Sequence, residues 1–168
     1  MKITKKKLLT GLGELAIMGL IIYAISNWQS RNLLDDDGSV IIENQFLVSL
    51  NGEVDPLFEE NKRTLIYFFA PWCKVCELSI NNLDYLNDSD LNVVRVALDY
   101  RLENDVAEFV SNNDVEGKVL LGSNNLKSQF QIPGYPTYYL LDEQRKIIGH
   151  SFGYSTALGL KLKNFLNK

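Results

Sequence analysis

The chain has 168 residues, 46% of them hydrophobic, and a formal net charge of −4. That is room for one globular domain and a short additional segment. Four lysines fall within the first seven residues and Glu14 is the only acid before Asp35. The remainder is therefore markedly acidic, which argues against nucleic acid as a partner. Two cysteines and a single histidine fall short of the four ligands a structural zinc site needs, and no metal site is expected.

Lys2, Lys5, Lys6 and Lys7 precede a mostly apolar stretch, residues 8–25, and Trp28, Arg31 and Asp35-Asp36-Asp37 follow it. Lysines before an apolar run and acids after it predict a single N-terminal transmembrane helix with its N-terminus in the cytoplasm. Tyr23 and Trp28 would sit at the outer interface. Glu14 lies inside this run, where a carboxylate costs about 2–3 kcal/mol. Ala24-Ile25-Ser26 also fits a small-x-small cleavage site, but an uncleaved anchor is the favoured reading. The expected organisation is an anchor over residues 1–31, a polar tether over 32–39 and a globular domain over 40–168. The domain would then lie on the extracytoplasmic side, where disulfides persist.

Within the domain, residues 40–50 and 53–57 flank Asn51-Gly52, a strong hairpin signal, with Pro56 ending the second strand. Residues 64–69 form a continuous apolar strand of the buried, parallel kind. A helix from Cys73 carries Leu78, Leu83 and Leu86 at near-helical spacing and stops at residues 87–90. A valine-rich strand spans 91–98, and an amphipathic helix spans 103–112 through Val106, Phe109 and Val110. A short strand over 118–121 and a short helix over 124–130 lead to Pro133-Gly134-Tyr135-Pro136. Strands over 137–141 and 146–152 are joined by the polar turn 142–145, and Ser155 or Thr156 caps a last helix. Alternating strands and helices followed by a hairpin and a helix give an α/β sheet of mixed direction.

The chemistry concentrates in Cys73-Lys74-Val75-Cys76, directly after Tyr67-Phe68-Phe69-Ala70-Pro71-Trp72. The nucleophile of disulfide exchange is a thiolate, and a helix N-terminus lowers a thiol's pKa toward that form. Two buried structural thiols are the bland alternative, but the two-residue spacing after a strand and an aromatic favours a redox pair. This turn lies at the carboxyl end of a central strand, where open α/β sheets expose their chemistry. His150, between Gly149 and Ser151, reads as a half-exposed strand residue, and Tyr138 and Tyr139 read as strand packing.

These residues resemble the thioredoxin superfamily: Phe69 to Cys76, then Gly134-Tyr135-Pro136-Thr137 some sixty residues later. The extra strand and helix between them, and the hairpin ahead of the first strand, are similar to the TlpA-like branch of membrane-tethered bacterial thioredoxins. Trp72-Cys73-Lys74-Val75-Cys76 and residues 153–162 look most like the copper-sensitivity suppressor (ScsD-like) subgroup. The resemblance implies a thioredoxin-like α/β fold whose mixed central sheet is flanked by helices, with an N-terminal β-hairpin extension. It implies a cis bond at Pro136, whose missing N–H leaves a backbone edge beside the sulfurs where a substrate strand could pair with Tyr135. Trp72 would shield and position the turn. Many thioredoxins carry a buried Asp where this chain has Tyr67, a poor base at its ordinary pKa. Lys74 and Glu77 push the Cys73 thiolate in opposite directions, and Tyr100 and Arg101 could border the substrate groove.

The resulting expectation is a thiol–disulfide oxidoreductase anchored in the inner (cytoplasmic) membrane, its catalytic domain on the periplasmic side. Cys73 would attack the disulfides of exported client proteins and Cys76 would resolve the mixed disulfide. The redox-active Cys73–Cys76 disulfide would be the sole prosthetic device, fed by an electron donor of the DsbD-like transmembrane kind. Two alternatives remain open: a disulfide-donating oxidase or isomerase, and a Cu(I)-binding or delivery module. Soft thiolates suit Cu(I), but two of them without a nearby Met or His make a thin site.

Overall fold

Strand β3 (Arg63–Phe69) is buried at every residue, and the rest of the domain is arranged around it. The computed structural model describes residues 31–86 and 91–166, together with 13, 14, 16–21 and 24. The chain divides into two compact units, Met1–Asn32 and Leu33–Lys168. In the first, the described residues 13, 14, 16–21 and 24 are helical. Half of the expected membrane span over 8–25 lies outside the described residues, among which no helix is long and apolar enough to cross a membrane. The expected helix stop at 87–90 also lies outside them.

The second unit runs β1 (Phe46–Val48), β2 (Val54–Pro56), β3, α1 (Lys74–Ser79) with a 3-10 continuation (Ile80–Tyr85) and β4 (Leu91–Ala97). It continues through α2 (Glu103–Asn112), β5 (Val119–Leu121), α3 (Asn124–Gln129), β6 (Thr137–Leu141), β7 (Ile147–Phe152) and α4 (Ala157–Leu166). The main sheet has the order β5-β4-β3-β6-β7. β4 lies parallel to β3 and to β5, whereas β6 runs antiparallel to β3 and β7 antiparallel to β6. This is the mixed thioredoxin-like α/β sheet the sequence predicts.

Successive side chains of a strand point to opposite faces, and β3 therefore feeds two cores. Leu65, Tyr67 and Phe69 pack with Cys73, Cys76, Ile80, Leu83, Phe109 and Leu160. Ile66 and Phe68 pack with Leu57, Phe58, Leu126, Phe130 and Tyr139 on the other side. The cysteine helix and the C-terminal helix share the first face, and α3, which precedes the proline loop, covers the second.

Three expectations need adjustment. The hairpin forms about Asn51-Gly52, but its strands are three residues each. Residues 40–45 make a single bridge, Ile41 to Lys146, because Asn44 diverts the backbone: its amide donates to the Phe58 carbonyl and accepts the Phe58 N–H, both at 3.1 Å. The helix after Cys73 is short and tightens into 3-10 form. Its inward stripe is Cys76, Ser79, Ile80 and Leu83, while Leu78 is 73% exposed. Residues 32–39, expected as a tether, lie against the domain from Leu33 onward. Leu33 is buried, the Leu34 N–H donates to the Tyr139 hydroxyl, and the Gly38 N–H donates to the Ile147 carbonyl.

Candidate active site

β3 runs out at Phe69, and the chain turns through Ala70-Pro71-Trp72, with the Cys73 N–H donating to the Ala70 carbonyl at 3.0 Å. That turn places Cys73 as the N-cap of α1. The Cys76 N–H donates to the Cys73 carbonyl at 3.0 Å and approaches its Sγ at 3.2 Å. Cys73 and Cys76 are joined as a disulfide with Cα atoms 5.2 Å apart. The two cysteines differ in access: Cys73 is 6% exposed and Cys76 is fully buried.

The Tyr135–Pro136 peptide bond is cis. Thr137 Oγ1 donates to the Gly134 carbonyl at 2.8 Å and closes the loop. A side chain at Gly134 would press on the Phe152 ring, whose atoms would lie 3.2 Å from a Cβ. The proline loop meets the cysteine turn through aromatic rings: Trp72 and Tyr135 pack edge to face with centroids 5.7 Å apart. Trp72, though 64% exposed, is fixed by its indole N–H, which donates to the Asp99 carbonyl at 2.9 Å. The structure thus brings Trp72, Cys73, Cys76, Tyr135 and Pro136 to one end of the sheet. A groove of about 770 Å3 opens beside them, its wall including Trp72, Lys74, Glu77, Tyr100 and Arg101.

The chain is similar in sequence and in fold to proteins of known kind. The chain is 30% identical over 166 residues to a thioredoxin-like protein of Haemophilus influenzae, an alignment spanning 95% of each chain. The chain belongs to the thioredoxin-like proteins. No family model matches it. Its fold is similar to that of StoA from Bacillus subtilis, with 22% identity, a TM-score of 0.66, and coverage of 73% of this chain and 96% of that one. It is also similar to a DsbF homologue from Corynebacterium diphtheriae, with 18% identity, a TM-score of 0.67, and coverage of 80% and 90%. A thioredoxin-like chain with a Cys-x-x-Cys disulfide in its active turn is a thiol–disulfide oxidoreductase.

Beneath the sulfurs the sheet presents a tyrosine. Tyr67 is fully buried. Its hydroxyl lies 3.0 Å from Ser79 Oγ and donates to the Cys76 carbonyl at 3.4 Å. Burial pushes its phenol far above the ordinary range, with the neighbouring Tyr138 adding to the rise. Tyr67 therefore stays protonated and holds the helix by hydrogen bonds; it is no base. On β4, opposite Tyr67, the buried Arg95 pairs with Asp84 of the 3-10 segment.

Lys74 and Glu77 pair with each other at 2.8 Å. His150 lies on the edge strand β7 and is mostly buried, its Nδ1 3.4 Å from an Asp36 carboxylate oxygen. Among the described residues no group of three or more His, Cys, Asp or Glu is arranged to hold a metal.

Sequence reasoning missed Ser79 and Asp99. Ser79 sits at the inward helical position and donates to the Val75 carbonyl at 2.9 Å while meeting Tyr67. Asp99 adopts φ 49°, a left-handed conformation that Asp tolerates better than most residues. An Asp directly after a valine-rich strand is the only signal for it.

Proposed function

We propose that this protein is a membrane-anchored thiol–disulfide oxidoreductase of the bacterial envelope that reduces disulfides of exported proteins. One observation carries the assignment of roles: the cysteine at the helix N-cap keeps a small exposed surface, 6%, and its partner has none. The Cys73 thiolate attacks one sulfur of a client disulfide, expelling the other as a thiolate that takes up a proton. The Cys76 thiolate then attacks Cys73 Sγ in the mixed disulfide. The client leaves with two thiols, and the enzyme holds the Cys73–Cys76 disulfide. Trp72, Tyr135 and the cis-Pro136 edge receive the client as an added strand.

Anchoring is supported by the lysines before residues 8–25 and the acids after them. With the domain outside the cytoplasm, each turnover draws two electrons across the membrane, for which a DsbD-like transmembrane donor is the fitting class. The motifs around Trp72 and residues 153–162 favour the ScsD-like subgroup.

The deciding measurement is the equilibrium reduction potential of the Cys73–Cys76 couple in a dithiothreitol or glutathione series. A value of roughly −250 mV or lower is expected for a reductant. A value of roughly −120 to −180 mV would reverse the direction and make the protein an oxidant or isomerase.

A further inference from the structure

Side chains from four segments meet around Trp72 and close a ring of contacts. The Trp72 indole donates to the Asp99 carbonyl at 2.9 Å. The Asp99 carboxylate pairs with Lys127 of α3, its Oδ2 2.5 Å from Nζ. Lys127 Nζ lies 5.7 Å from the centroid of the Tyr135 ring, within cation–π range. Tyr135 packs back on Trp72. Burial raises the Tyr135 phenol, with the neighbouring Asp99 carboxylate adding to the rise, so Asp99 bears on the polar end of Tyr135 while Lys127 and Trp72 meet its ring.

We propose that Asp99 and Lys127 are positioning residues, which lock the cis-proline loop against Trp72 and thereby set how a polypeptide disulfide is presented to Cys73. The inference rests on the docking edge proposed above and adds the device that holds it in place. Neither residue touches a sulfur in any contact of the structure, so their influence passes through Trp72 and Tyr135. Both are about one-third exposed, where an ion pair contributes up to ~1 kcal/mol. Their removal should barely alter folding, whereas a displaced docking edge directly weakens the presentation of a bound client.

The test compares the full chain, in detergent, with Lys127→Met and Asp99→Asn. Asn keeps both the left-handed backbone preference and the carbonyl that holds Trp72, so only the charge is lost. Exchange is followed with insulin as the polypeptide disulfide and with oxidised glutathione as a small one. Both variants should raise KM for insulin about fivefold, the equivalent of one such ion pair, with kcat and glutathione exchange unchanged. Lys127→Arg, which retains the charge and the cation–π contact, should restore the insulin KM. Equal losses with both disulfides, wild-type KM in either variant, or no rescue by arginine would overturn the proposal. Running the exchange also from the oxidised enzyme to a reduced, unfolded polypeptide separates the two readings. A faster oxidising direction defeats the reductase assignment, while the ratio of variant to wild type in the faster direction still judges the positioning role.

Discussion

The cluster around Trp72 and the cluster around Tyr67 serve the same cysteine pair, but the first is open to solvent and the second is buried except at Asp84. Trp72, Asp99, Lys127 and Tyr135 join four segments through a partly exposed ion pair and ring contacts. Tyr67, Ser79 and Arg95 are buried and hold α1 and its 3-10 extension onto the sheet by hydrogen bonds and the pair with Asp84. Exposed ion pairs are weak and adjustable, whereas breaking a buried one is costly. The outer cluster is thus suited to presenting substrates and the inner one to keeping Cys76 in place. Substitutions in the inner cluster should lower stability, and those in the outer one should alter substrate kinetics.

The largest effect is expected at the sulfurs themselves, where the clusters converge. Cys73→Ser should abolish exchange with every disulfide. Cys76→Ser should retain the attack but accumulate mixed disulfides, visible as adducts lost on reduction in non-reducing gels of whole cells. If adducts formed instead through Cys76 in the Cys73→Ser variant, the assignment of roles from their unequal exposure would be wrong.

Next comes Arg95→Ala, which leaves a partly buried Asp84 carboxylate without its cation and removes a buried side chain between α1's extension and β4. A loss of about 3 kcal/mol, the low end for broken buried pairs because Asp84 is partly exposed, is expected from urea unfolding. A loss below about 1 kcal/mol would place the pair with surface ion pairs and erase the contrast between the clusters.

How much of this arrangement could be read beforehand depends on how local each feature is. The cysteine turn and the proline loop are each specified within eight consecutive residues, so Cys73, Cys76, Trp72 and Pro136 were legible. The phase of the cysteine helix was not: leucine spacing favoured Leu78 as inward, but Ser79 takes that position because Tyr67, on a strand twelve residues earlier, offers it a hydrogen bond. Asp99 and Lys127 were invisible for the same reason on a larger scale. Their partners lie 27 and 28 residues away, and no periodicity reports a pairing made by tertiary packing. The strand expected over 40–50 shortened to three residues because one polar side chain, Asn44, captured the Phe58 backbone.

Tyr67→Phe probes the inner cluster more gently. It deletes the bonds to Ser79 and the Cys76 carbonyl, but Ser79 keeps its bond to the Val75 carbonyl. The cost should be about 1 kcal/mol. Because burial holds the phenol protonated far above neutral pH, the pH profile of the resolving step should not change. A profile that loses an ionisation in Tyr67→Phe would restore the phenol as a proton acceptor and overturn its reading as a hydrogen-bonding post.

The smallest expected effect lies in the pH dependence of Asp84. Burial raises its carboxyl above the ordinary value of 3.8, against the opposing pull of Arg95. The folded state therefore binds a proton more readily than the unfolded chain, so this group's contribution to stability is fully present below 3.8 and is lost as pH rises through the raised folded-state value. Asp55, held below the same value by Lys118, acts in the opposite sense, its contribution disappearing as pH falls. Urea midpoints of wild type and Asp84→Asn across the acidic range isolate the first of these. The variant should lose the component that declines with rising pH, leaving a curve that climbs more steeply away from acid. An unchanged slope would mean that Arg95 fully offsets the burial of Asp84.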